Sequence, residues 1–259
     1  IRMHIIFRTC DVVNAVNNSP RPFGLDKKTL IKICFKSLYH AVQEIPHHIT
    51  VLGDKLSDEM LDFFKGYNVQ FSNGNYGNDE SIRQCIKIAA GLPDDEWVYF
   101  CEDDYLHKPE TFRFIDNLIA EKETVLKLPP NSFLNNTFFE PGKTPIVIFP
   151  PDYPDRYAAN DIRQYYILHS SDCHWRQVTN ITFTFIAQAK TIKKHLQLFN
   201  KSSVGANDGL LSKKLFGYKN FKNKALCLSP LPGLSTHMHA DTITPLVDWK
   251  ALKDHYLNL

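Results

Sequence analysis

The chain has 259 residues, of which 43% are hydrophobic and 22% charged, values that exclude a disordered chain. Thirty Lys and Arg against 28 Asp and Glu leave a formal charge of +2, so there is no electrostatic basis for binding nucleic acid or an anionic membrane. No apolar run approaches the roughly 18–20 residues of a membrane span, so no transmembrane segment is expected, and the length suits one large domain over 1–259.

The first hundred residues alternate strand and helix. Residues 4–7 read as a strand, and the opening segment is too short and too mixed for a signal peptide. Residues 26–44 place Leu30, Cys34, Leu38, Ala41 and Val42 at helical spacing behind Asp26, a suitable N-cap. A second strand, 48–52, runs into Gly53-Asp54, and Ser57 is placed to cap a short helix through Met60, Leu61 and Phe64. A third strand at 69–71 leads to the turn-rich loop 72–78. A helix at 79–90 follows, with Ile82, Cys85, Ile86 and Ala89 on one face and Gly91 beyond its end. Residues 97–101 form a nearly continuous apolar run, the pattern of a strand buried on both faces. This alternation predicts an α/β fold with a mostly parallel central sheet and helices on both faces. Ligands in such sheets bind beyond the carboxyl ends of the strands. That points to 8–11, Asp54, 73–78 and 102–104, all of them polar.

The second half is irregular. Pro109 suits the first turn of a helix carrying Phe112, Ile115, Leu118 and Ile119. Residues 129–161 are rich in Pro, Asn and Asp and read as long loops around one short strand. A strand at 182–187, helices at 191–199 and 209–216 and a strand at 225–228 complete the reading. Six scattered cysteines without a CxxC pair exclude the usual zinc knuckle and fit reduced thiols, which suggests an intracellular, cytoplasmic protein, or one peripheral to a membrane. The N-x-S/T triplets at Asn17, Asn135, Asn180 and Asn200 are of a kind that arises by chance.

Glu102-Asp103-Asp104 is the sharpest chemical feature. Three acids directly after an apolar strand repel one another unless a cation or a proton relieves them. Carboxylate oxygens suit Mg²⁺ or Mn²⁺. The alternative is a solvated acidic turn.

The run Trp97-Val98-Tyr99-Phe100-Cys101-Glu102-Asp103-Asp104 resembles the strand and DxD motif of GT-A glycosyltransferases, in particular family 2. Other landmarks of that family follow in order over roughly residues 1–240. They are Arg8-Thr9-Cys10-Asp11 after the first strand, Asp54 after the second, and the loop and helix 73–83. Further on come Gly205-Ala206-Asn207-Asp208, similar to the catalytic-base motif, and Ser235-Thr236-His237-Met238-His239, similar to the late metal-binding His segment. The sequence departs from the pattern in opening the acidic motif with Glu and in reducing the second-strand acidic run to Gly53-Asp54-Lys55.

The resemblance implies a GT-A-type fold in which 1–105 binds a nucleotide sugar and 106–259 the acceptor. It implies an inverting transfer, dependent on Mn²⁺ or Mg²⁺, from a nucleotide-diphosphate sugar donor to a hydroxyl on a glycan, lipid or small molecule. Asp104 would hold the metal, joined by Glu102 and by His237 or His239, two residues that face the same way if extended. Arg8, Thr9, Asp54, Asn78, Arg83, Glu102 and Asp103 would bind the nucleotide sugar, and Asp208 would act as general base. Asp172 is a lesser alternative base. Arg156 and Arg163 are further phosphate-binding candidates, and Tyr153, Tyr157, Tyr165 and Trp175 are candidates for stacking on sugar rings. Two other functions carry weight. A sugar nucleotidyltransferase would need a Gly-rich loop after the first strand, and residues 8–22 contain no glycine. A non-catalytic glycan- or protein-binding module would leave the clustered acids without a purpose.

Overall fold

A computed structural model describes residues 1–13, 20–126, 144–157, 166–216 and 224–259. The first four strands are β1 (Met3–Thr9), β2 (His47–Asp54), β3 (Gln70–Gly74) and β4 (Trp97–Glu102). They pair in parallel in the order β3-β2-β1-β4, with Arg8 opposite both Leu52 and Glu102. The connecting helices are α1 (Lys27–Ala41), α2 (Asp58–Lys65) and α3 (Asn78–Ala90). The expected α/β plan, with a large central sheet and helices on both faces, is therefore present.

The two faces of the sheet are legible in single strands. Along β1, Met3, Ile5 and Phe7 point into one core with Phe35 of α1 and Phe64 of α2, while Ile6 points into a second core with Ile82 and Ile86 of α3. Along β4, Trp97, Tyr99 and Cys101 face the first core and Val98 and Phe100 the second. This two-residue alternation, apolar on both sides, is what a doubly covered strand requires.

Past β4 comes a three-residue strand, β5 (Tyr105–His107), then α4 (Thr111–Ala120) and the single turn α5 (Lys122–Val125). The remaining elements are β6 (Ile146–Ile148), β7 (Ile167–His169), β8 (His174–Val178), β9 (Phe185–Gln188), α6 (Ala189–Lys194), α7 (Leu196–Ser202), α8 (Asp208–Leu215), β10 (Leu226–Leu231), β11 (Ser235–His237) and α9 (Trp249–Leu257). The large sheet continues β4-β9-β6-β10-β8-β7. Strand β9 runs antiparallel to β4 and β6, so the sheet is wholly parallel from β3 to β4 and mixed beyond it. Strands β11 and β5 form a separate antiparallel pair.

Several local expectations are corrected. Ser57 stands at the N-cap of α2 but makes no capping bond; its hydroxyl is turned to Asp11, to which it donates. The helix after Pro109 starts at Thr111, whose hydroxyl bonds to Lys108 O and Leu234 O. The helix expected over 191–199 is two helices, broken at His195, where φ −115° and ψ 23° leave the helical region. The strand expected from 182 begins at Phe185, because the Thr182 and Thr184 hydroxyls bond to Tyr105 and to the β4 end. Strands β5, β7, β8 and β11 and helix α9 carry no expectation from the sequence. Most of the loop region 129–161 lies outside the described residues, as do Tyr165, Arg163, Asn17 and Asn135. All six cysteines are free, and five are buried. Among the described residues, no helix is long and apolar enough to cross a membrane.

Candidate active site

Parallel pairing brings the carboxyl ends of β1, β2, β3 and β4 to one edge. Strand β4 ends at Glu102, and a turn at Asp103-Asp104 leads into β5. The three acids therefore diverge, where a continued strand would have aligned Glu102 with Asp104. Each meets its own cation. Arg8 Nη2 lies 2.7 Å from Glu102 Oε1, Lys27 Nζ 2.6 Å from Asp103 Oδ1, and Arg21 Nη1 2.9 Å from Asp104 Oδ2. The mutual repulsion anticipated from the tripeptide is thus answered by side chains.

Asp103 closes the turn. Its Oδ2 accepts from the Thr9 hydroxyl and from Cys10 N, both at 3.0 Å, while Lys27 holds the other oxygen. Burial alone would lower the Lys27 pKa, but the charges of Asp103 and Asp104 and the hydrogen bond to Asp103 raise it instead. Glu102 is held by Arg8 and by the Thr184 hydroxyl, which donates to Oε2 at 3.3 Å. Arg8 also donates to Asn78 Oδ1 and Ser81 Oγ, tying β1 to the start of α3. Burial works against the Arg8 charge, but Glu102, Cys85 and Asp103 together outweigh it and raise the pKa.

Asp104 is the centre of the second cluster. Antiparallel pairing of β11 with β5 sets His237 opposite Tyr105, and Met238 N donates to Asp104 O at 2.8 Å. His237 Nε2 and His239 Nε2 each lie 3.2 Å from Asp104 Oδ2. The extended backbone at His239 keeps both rings on one side, their centroids 4.0 Å apart. Burial would raise the Asp104 pKa, but the His237 charge and the hydrogen bonds from His237 and His239 hold it well below the usual carboxylate range. Ligand atoms of Asp104, His237 and His239 all lie within 4.8 Å of one another, a set of one oxygen and two imidazole nitrogens that fits a divalent cation. Glu102 lies outside this set.

The His237 ring is positioned from behind. It stacks on Tyr105 at 4.6 Å and 4°, and its Nδ1 lies 3.1 Å from the Tyr153 hydroxyl, which in turn lies 2.8 Å from the Tyr105 hydroxyl. Such contacts fix the orientation of a ligating imidazole.

The remaining candidates are more scattered. Asp54 is buried, and its carboxylate accepts from Tyr76 N at 2.6 Å and Gly77 N at 3.0 Å, so it shapes the loop before α3. Asn78 opens α3 beside Arg8. Arg83 pairs with Glu80 on α3, 2.6 Å away, its side chain 41% exposed. Asp208 stands at the start of α8, where Asn207 rather than Asp208 caps the helix by accepting from Leu210 N. Burial raises the Asp208 pKa and the nearby negative charge of Glu102 adds to this, against local backbone donors. Asp172 is occupied by Asn117 and Ser170. Trp175 is fully buried with its indole N–H on Ser170, which makes it a core residue with no face for a sugar. Tyr153 reaches the site, while exposed Tyr157 bonds to Asp152, and Arg156 lies over Phe149 and Tyr153. An apolar pocket beside Arg8, lined by Ile82, Phe100, Phe183 and Phe199 among others, includes neither Asp104 nor the histidines.

Arg21 and Lys27 belong to the site and were missed. Arg21 lies in the segment between β1 and α1 and Lys27 opens α1, both beyond the reach of the strand-end rule, which points to 8–11.

No family model and no curated protein sequence matches the chain. Solved structures similar to it include a 4-diphosphocytidyl-2C-methyl-D-erythritol synthase from Anaerococcus prevotii, at 10% identity, TM-score 0.44, over 99% of this chain and 96% of that one. Another is a nucleotidyl transferase from Methanothermobacter, at 12% identity, TM-score 0.43, over 99% and 98%. A third is the galactosyltransferase LgtC, with donor and acceptor sugar analogues, at 11% identity, TM-score 0.40, over 80% and 69%. With TM-scores under 0.5, the chemistry has to follow from this chain's own residues.

Proposed function

We propose that this chain is a metal-dependent, inverting glycosyltransferase of GT-A type that moves a sugar from a nucleoside diphosphate to a hydroxyl acceptor. The observation that carries the reading is the convergence of Asp104, His237 and His239 at the carboxyl edge of a doubly covered sheet. Asp104 Oδ2 and the two Nε2 atoms would hold the ion, and two nitrogen donors favour Mn²⁺ over Mg²⁺. Bound there, a divalent ion supplies Lewis-acid neutralisation of the departing diphosphate. Arg8 and Arg21 bring guanidinium groups, which suit phosphate oxygens, to the same edge. Asp208 would take the proton from the attacking hydroxyl. A carboxyl raised by burial and by Glu102 is a stronger base than a solvated one.

A melting-temperature screen against uridine, guanosine, thymidine and cytidine diphosphate sugars, with and without Mn²⁺, identifies the donor. With that donor, Asp104→Asn should abolish transfer and remove the Mn²⁺-dependent shift while the fold persists. Asp208→Asn should lower the transfer rate by about 10²–10⁴-fold and leave the donor shift intact. Undiminished transfer by Asp104→Asn would end the metal mechanism. Pyrophosphate release from a nucleoside triphosphate and a sugar phosphate would make the chain a nucleotidyltransferase instead.

A further inference from the structure

The Asp104 oxygen shared by His237 and His239 is also the one that Arg21 holds. Arg21 Nη1 lies 2.9 Å from Asp104 Oδ2 and 3.1 Å from Met238 O, and its side chain is 5% exposed. A second cation drawn to that oxygen would meet the guanidinium at contact distance in a poorly screened setting, where like charges repel strongly. Lys27 is in a different position. The carboxylate it serves is also bound by Thr9 and Cys10, so that set is closed without any further ligand.

We propose that Arg21 is an internal counter-cation for Asp104. It opposes a divalent ion arriving alone and is drawn off by an anionic ligand, so that ion and diphosphate are taken up as a pair. This rests on the metal reading above. A guanidinium pairs with phosphate oxygens as readily as with a carboxylate, so the transfer replaces one charge-assisted bond by another. Arg21 sits at the carboxyl edge of the sheet, where phosphates bind in folds of this kind.

The test is calorimetric titration of Mn²⁺ into the parent chain, Arg21→Gln and Arg21→Lys, each with and without methylenediphosphonate, corrected for binding of Mn²⁺ by the diphosphonate itself. Arg21→Gln should bind Mn²⁺ alone roughly tenfold or more tightly than the parent. Arg21→Lys, which keeps the charge, should stay near the parent. The diphosphonate should tighten Mn²⁺ binding in the parent more than in Arg21→Gln. If the parent binds Mn²⁺ and a folded Arg21→Gln binds it no more tightly, the counter-cation role is overturned and the metal reading stands. If no variant binds Mn²⁺, both are overturned.

Discussion

Tyr153 reaches the His237 ring with a single hydroxyl, 3.1 Å from Nδ1, and that oxygen also touches the Tyr105 hydroxyl at 2.8 Å. If Nδ1 carries the proton, Nε2 keeps its lone pair for a ligand; if it does not, Nε2–H points at Asp104. The hydroxyl thus acts on the tautomer. Tyr153→Phe keeps the ring beside Phe149 and leaves Tyr105 its bond to Thr182 at 2.9 Å. It should weaken Mn²⁺ binding by about 10-fold or more, in the range seen for removed outer partners of ligating histidines, with little change in melting temperature. Titrations at several pH values test this, because a purely structural role would not alter the pH dependence of affinity. Among single residues, the grouping of Asp104, His237 and His239 was legible from the resemblance of 97–104 and 235–239 to GT-A motifs. Arg21 and Lys27 were not, because one basic residue in a Pro-flanked loop and one at a helix start carry no pattern. Their partners are 83 and 76 residues away.

At the scale of elements, the site depends on β5 and β11, three residues each. Strands this short have too few positions for alternation to show, and β11 is buried among residues that read as loop. Longer elements were legible. The Asp26 cap of α1 is found as expected, accepting from Thr29 N at 3.0 Å, and the near-continuous apolar run 97–101 with the strand-helix order predicted a sheet covered on both sides. Pairing with β5 and the Met238 N–Asp104 O bond set the register of β11, and a close approach at Gly233, two residues upstream, seats its start. A Cβ there would fall 2.5 Å from Thr244 Cγ2 and 2.9 Å from Asp152 N, and the latter is backbone. Gly233→Ala should cost about 1–3 kcal/mol in urea unfolding, as overpacking does. It should also loosen Mn²⁺ binding, because the displaced strand carries His237. Parent-like stability and Mn²⁺ affinity in this variant would show that the close approach at Gly233 does not matter to the seating of β11.

Across the whole molecule, acid sensitivity follows from two histidines remote from one another in sequence, His4 at the start of β1 and His107 at the end of β5. Neither was singled out from the sequence, since burial of a histidine depends on what packs over it. His4 is 7% exposed with Nε2 2.9 Å from the Thr50 hydroxyl, and His107 is fully buried with Nε2 2.7 Å from the Tyr99 hydroxyl. Burial, with the His48 charge added, lowers the His4 pKa to about 4. Burial lowers that of His107 to about 3, against a backbone contact at Tyr105. Both stay neutral in the folded chain while the unfolded chain takes up protons below its ordinary value of 6.5. Stability is therefore complete above that value and is lost as pH falls towards 4 and 3, at about 1.4 kcal/mol per pH unit for each histidine. Asp104, held low, keeps its contribution until the pH drops below the usual carboxylate range. The raised carboxyls of Asp152 and Asp208 act with the opposite sign and offset part of the loss where they titrate. Urea unfolding at about pH 7 and about pH 5 should differ by up to about 4 kcal/mol. His4→Gln, which keeps a hydrogen-bonding side chain toward Thr50, should remove about half of that difference. A stability profile that is flat over this interval would mean that both imidazoles reach solvent and take up protons in the folded chain.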